Sequence, residues 1–103
     1  VNMPDDQGNT PLILAMRLSD QDFAIQVVKE LLKQGANVDA QNKNGETALF
    51  RAVQRKKHTL IQFLLENGAD PAIKNNQGLT PLAVAQANND QQAISLLSAR
   101  VEK

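Results

Sequence analysis

The chain is 103 residues long and carries eleven basic and eleven acidic side chains, so its formal charge is zero. No long-range field therefore draws it to nucleic acid or anionic lipid, and no apolar run approaches the ~20 residues that cross a bilayer. Cys, Trp and Tyr are absent, which excludes disulfides and thiol chemistry and leaves one domain with a core of small aliphatic residues and three Phe.

Residues 1–4 read as a lead-in or the end of a preceding loop. Three units follow, about 5–41, 42–74 and 75–103, opened by Gly8-Asn9-Thr10-Pro11-Leu12, Gly45-Glu46-Thr47-Ala48-Leu49 and Gly78-Leu79-Thr80-Pro81-Leu82. The opening glycines lie 37 and then 33 residues apart. A period in this range marks a stacked array in which each unit covers its neighbour.

Within each unit the elements come in one order. Thr10, Thr47 and Thr80 stand before an apolar run, where a hydroxyl can accept a free N–H at a helix start. Pro11 and Pro81 follow at the first helical position, and a short helix of about two turns is predicted through Ala15, Ala52 and Ala85. After a polar break, Val27-Val28 with Leu31-Leu32, Leu60-Ile61 with Leu64-Leu65, and Ala93-Ile94 with Leu96-Leu97 predict a second helix with one apolar face. Gly35 and Gly68 close it. The polar links then hold Asn44-Gly45 and Gln77-Gly78, which read as tight turns. Extended arms beside them would make hairpin fingers.

The first unit carries four extra residues near Leu18 to Asp22, placed in the turn between its helices, and Ser19-Asp20-Gln21-Asp22 reads as the capping sequence of a lengthened second helix. The two ends differ. Gln86 and Ser98 stand where earlier units have Met16, Val53, Leu32 and Leu65, a polar pattern that a terminal cap requires. At the front, Val1 to Asp5 aligns with the segments Val38–Asn42 and Pro71–Asn75. The first helix and its continuation to Leu18 are very apolar, so preceding repeats or another covering are expected there.

These residues resemble the ankyrin repeat, whose unit runs D-x-x-G-x-T-P-L-x-x-A, two antiparallel helices, then G-A-D and a β-hairpin finger. Gly35-Ala36-Asn37 and Gly68-Ala69-Asp70 match that closing signal, and the resemblance spans nearly the whole chain. It implies an all-α solenoid of helix-turn-helix units with β-hairpin fingers. Three departures stand out. The family's His after T-P-L is Ile13, Phe50 and Ala83. Its Gly between the helices is Lys56 and Asn89. Its opening Asp, kept at Asp5, is Asn42 and Asn75.

The resemblance implies a non-catalytic module that binds a partner protein through the concave side, made of finger tips and first helices. Carried over by position, the contacts are Asp6, Gln7, Asn9, Arg17 and Leu18 in the first unit. In the second they are Lys43, Asn44, Glu46, Gln54 and Arg55, and in the third Asn76, Gln77, Leu79, Ala87 and Asn88. Leu79 and Arg55 are the expected anchors. An alternative role is a scaffold or C-terminal cap of a longer array or multidomain protein. A monomer is expected unless the apolar front face self-associates.

Few side chains in the sequence could carry chemistry. His58 is the single histidine and reads as a surface residue at a helix start, without metal ligands at useful spacing. No phosphate-binding loop occurs. Asp5-Asp6 and Asp20 to Asp22 read as turn and helix-start residues with ordinary ionisation. No cofactor, metal, nucleic acid or membrane insertion is expected. Arg51, Arg55, Lys56, Lys57 and His58 form the one charge cluster. Arg51 takes a place held elsewhere by Leu14 and Val84 and shares a face with Arg55. The cluster reads either as a solvated turn or as a dock for an acidic segment. No signal peptide is visible, and the compartment stays open, with the cytoplasm favoured over periplasm or secretion.

Overall fold

The computed structural model describes residues 3–101. Among them six helices follow in order: α1 (Pro11–Ala15), α2 (Gln21–Lys33), α3 (Ala48–Gln54), α4 (His58–Glu66), α5 (Pro81–Ala87) and α6 (Gln91–Val101). Each unit pairs a short helix with a longer one, and α1, α3 and α5 form one layer while α2, α4 and α6 form the other. One core runs through all three units, with Leu12, Met16, Leu49, Val53, Leu60, Ile61, Leu64 and Leu97 fully buried. Burying each such side chain contributes about 2 kcal/mol. Ile13 and Phe50, which replace the family's histidine, are buried too, so apolar packing takes the place of hydrogen bonds there. The apolar first helix is absorbed in the same way, because Leu12, Ile13, Ala15 and Met16 all lie inside the core.

The helix starts follow from local chemistry. Thr10, Thr47 and Thr80 accept the N–H of Ile13, Phe50 and Ala83 at 3.3, 3.1 and 3.1 Å. Asp20 caps α2 by accepting the Phe23 N–H at 3.2 Å. The extra residues of the first unit are thus built as a helical turn, and α2 runs 13 residues against 9 in α4. That turn leaves Phe23 56% exposed. Before it, the Met16, Arg17 and Leu18 amides reach back three residues, to Ile13, Leu14 and Ala15, and α1 ends in a tightened turn.

The short helices of the second and third units end differently. Lys56 and Asn89 take φ of 57° and 54°. At Lys56 the Lys57 N–H bonds Ala52 O at 2.9 Å, and the Asp90 N–H bonds Ala85 O at 3.0 Å in the third unit, the six-to-one bond of a left-handed helix stop. A lysine in that conformation costs about 1 kcal/mol relative to glycine. The next residue, Lys57, starts α4 with no side-chain cap.

The fingers correct the expectation of β-hairpins. No strand occurs among the described residues. Around Gly45 the turn closes with Gly45 N–H to Asn42 O at 2.9 Å and Asn42 N–H to Glu46 O at 3.0 Å, and Asn75 and Leu79 repeat this around Gly78. The next rung of a ladder is lost to a side chain: Asn42 Oδ1 accepts the amides of Asn44 and Glu46, each at 2.9 Å. Asn75 Oδ1 does the same for Gln77 and Leu79, and Asp5 Oδ1 for Gln7 and Asn9. An Asx turn has replaced the hairpin.

Candidate interaction surface

Successive fingers stack through main-chain and amide bonds. The Lys43 N–H donates to Gln7 O, and the Asn76 N–H to Asn44 O, both at 2.9 Å. Asn76 Nδ2 reaches Lys43 O at 2.7 Å, and Gln41 Nε2 bridges Gly45 O and Lys74 O at 2.8 and 3.2 Å. Between the second and third fingers lies a cleft of about 390 Å³ lined by Asn44, Glu46, Asn75, Asn76 and Gln77. The stacking holds these groups in fixed positions.

Of the contact residues inferred from the sequence, Asp6, Gln7, Arg17, Lys43, Asn44, Gln54, Arg55, Asn76, Gln77, Ala87 and Asn88 are exposed. Leu79 is 41% exposed on the flank of the last finger. Two residues depart from expectation. Asn9 and Glu46 are buried and serve the stack: Asn42 Nδ2 donates to Asn9 Oδ1 at 2.8 Å and to Glu46 Oε1 at 3.1 Å. A partner meets little of either. Leu18 is half-buried, and its carbonyl accepts Lys57 Nζ at 3.0 Å across the unit boundary.

The basic turn is likewise partly engaged from within. Arg51 Nη1 contacts Glu46 Oε1 at 3.3 Å, with the two side chains 16% and 11% exposed. Arg55 and Lys56 are exposed. His58 is not a plain surface residue: its Nε2 lies 2.9 and 2.8 Å from Asp90 Oδ1 and Oδ2. Asp90 also accepts the Ala93 N–H at the start of α6, at 3.3 Å. Burial pushes the Asp90 carboxyl up, but the His58 hydrogen bond, the Ala93 amide and the charges of His58 and Lys56 outweigh it. The net shift is below the ordinary value of 3.8. Asp5 is lowered as well, first by the Asn9 amide, against a contribution from burial, and then by the Gln7 amide, the Asn9 side chain and Arg17. Ordinary ionisation was the expectation for Asp5. Its cupped turn amides set it apart.

Acidic residues are kept off one layer of this neutral chain. The short helices and the turns that follow them carry Arg17, Arg51, Arg55, Lys56 and Lys57. No acid occurs in 11–19, 48–57 or 81–89. Among the described residues the acids lie on the fingers and links and in or just before the longer helices. A second concavity, a groove of about 600 Å³ between α2 and α4, is lined by Ile25 and Phe63 among residues of both charge signs. Among the described residues no group of three His, Cys, Asp or Glu could hold a metal ion, and no helix there is long and apolar enough to cross a membrane.

Helix pairs stacked in two layers, joined by turn-tipped loops and repeating near 33 residues, define a helical-repeat solenoid. The family described as ankyrin repeats, in three copies, matches residues 21–103. The chain belongs to the ankyrin-repeat family. It is 42% identical over 77 residues to the human SH3 and multiple ankyrin repeat domains protein 2, covering 75% of this chain and 4% of that protein. It is 33% identical over 91 residues to the putative ankyrin repeat protein L271 of Acanthamoeba polyphaga mimivirus, covering 88% of this chain and 12% of that one. A putative ankyrin repeat-containing protein of Treponema pallidum is 33% identical over 95 residues, 92% of this chain and 30% of that protein. The chain thus spans less than a third of each of these relatives.

Proposed function

We propose that the chain is a non-catalytic protein-interaction module that binds its partner on the surface made by the finger tips and the α1, α3, α5 layer. Ankyrin repeats generally mediate protein–protein interaction, which sets the class. The observation that carries the surface is the rigid finger stack: Lys43, Asn44, Asn76 and Gln77 are exposed on backbones locked to one another, beside an open cleft. Leu79 adds an apolar anchor at its flank. Neutral amides in fixed positions suit recognition by hydrogen bonds to a partner's main chain or polar side chains.

Affinity capture with three baits tests this: the unaltered chain, Leu79→Asp and Phe23→Asp. Both substitutions fall on exposed side chains, so folding survives. A partner retained by the unaltered chain and by Phe23→Asp, but lost with Leu79→Asp, supports the finger surface. Loss with Phe23→Asp alone would move the binding site to the exposed first turn of α2.

A further inference from the structure

Three cations of the second unit stand where local structure favours something else. Arg51 occupies a place taken by the half-buried Leu14 and Val84 in the other units. Lys56 sits at φ 57°, where glycine is relaxed and a long side chain is strained. Lys57 occupies the helix-start position of α4 and gives no side-chain cap, although a cation there also opposes the helix dipole. In the third unit the matching residues are Val84, Asn89 and Asp90, and Asp90 does cap its helix. Arg51 and Lys57 are held by Glu46 and the Leu18 carbonyl, whereas Lys56 keeps its strained backbone for an exposed cation, a departure that points to binding rather than folding.

We propose that this basic edge, centred on Arg55 and Lys56 and flanked by Arg17 and Arg51, docks an acidic segment of a partner protein, rich in Asp and Glu. The proposal rests on the interaction-module reading above and names the chemistry of the partner. The internal acids leave it room, with Asp5 near enough to Arg17 to feel its charge. Glu46 offsets Arg51, and Asp90 faces His58 and Lys56. Lys57 is spent on the Leu18 carbonyl. Arg55 and Lys56 are exposed, and their own turn contains no carboxylate. Arg17, at the corresponding turn of the first unit, extends the strip across the unit boundary that Lys57 bridges. A short acidic chain therefore finds cations on two successive units and neutral Asn88 and Asn89 on the third. The mixture of isolated cations with internal acids matches the spaced carboxylates of a peptide better than a continuous phosphate backbone, whose binding would call for a denser basic stripe.

The test is a titration of the isotope-labelled chain with an oligoglutamate peptide, followed residue by residue by NMR, at low ionic strength and at about 0.15 M salt, where screening sets in near ~8 Å. Amide shifts confined to Arg17, Arg51, Arg55 and Lys56, weaker in salt, are expected. Arg55→Gln combined with Lys56→Gly should weaken the peptide about tenfold at low salt. Lys56→Gly alone should raise Tm by about 5 °C while it weakens binding, so loss of binding cannot be ascribed to loss of fold. Shifts elsewhere, no shifts, or unchanged affinity in the double variant would overturn the proposal. Tighter binding at the same residues by a single-stranded oligonucleotide of equal charge would overturn it too. Leu79→Asp, measured in parallel, should leave oligoglutamate binding intact. Failure of the finger surface and failure of the acidic dock are thereby read separately.

Discussion

Gly45 and Gly78 hold equivalent places in adjacent turns, with φ of 79° and 81°, yet their surroundings differ. A Cβ on Gly45 would lie 2.6 Å from Asn76 Oδ1 and 2.8 Å from the Asn76 backbone nitrogen, while one on Gly78 meets nothing within 4 Å. Alanine at Gly78 therefore carries only the left-handed penalty, about 1 kcal/mol. At Gly45 it must also push apart two stacked fingers, and about 3 kcal/mol is expected in all. Urea unfolding of the two variants measures the difference, and equal midpoints would mean that the fingers do not bear on each other in solution. The turn itself could be read from the sequence, because Asn-Gly after a polar run is local information. The stacking could not. It depends on residues 33 positions apart meeting edge to edge, and for that reason Asn9 and Glu46 passed as exposed contacts when they are in fact buried props.

At the scale of the element, legibility follows the range of the interaction. Every threonine cap acts over three residues, and each was visible in the repeated T-P-L or T-A-L signal. The fingers were read too regularly, because the side-chain oxygens of Asp5, Asn42 and Asn75 capture the amides that a strand ladder would need. The tie between α4 and α6 is a through-space event, His58 to Asp90 over 32 residues, and no periodicity announces it. Asp90 gives it a pH signature. A carboxyl whose folded pKa lies below 3.8 stabilises the fold fully above that value, and the stabilisation is lost as pH falls through the lowered pKa. Asp90→Asn keeps a side chain able to cap α6 but removes the charge facing His58. It should cost about 1 kcal/mol near neutrality and nothing at the acid limit. Thermal melts across pH 2 to 7 test the sign: the two Tm curves should converge on acidification, and a constant gap would show that the cap rather than the charge was lost.

For the molecule as a whole, the consequence of stacking is unequal coupling. The second unit touches both others, through α1 and α5 in one layer and α2 and α6 in the other, while the first and third share no substantial contact. In such an array stability is the sum of unit terms and nearest-neighbour terms, so damage to the middle should spread and damage to an end should stay local. Leu64 and Leu97 allow a matched comparison, since both are fully buried leucines of the longer helices. Truncation to alanine should cost about 3 kcal/mol at either. Leu64→Ala should speed amide hydrogen exchange in all three units together. Leu97→Ala should speed it in α5 and α6 by at least about tenfold more than in α1 and α2. The same asymmetry bears on binding, because the exposed cations Arg17, Arg55 and Lys56 lie on the first two units and Leu79 on the third. Opening of the third unit would then release Leu79, the proposed apolar anchor, while leaving the proposed basic edge assembled. Uniform acceleration by Leu97→Ala would instead show that the 103 residues unfold as one block, with both surfaces lost together.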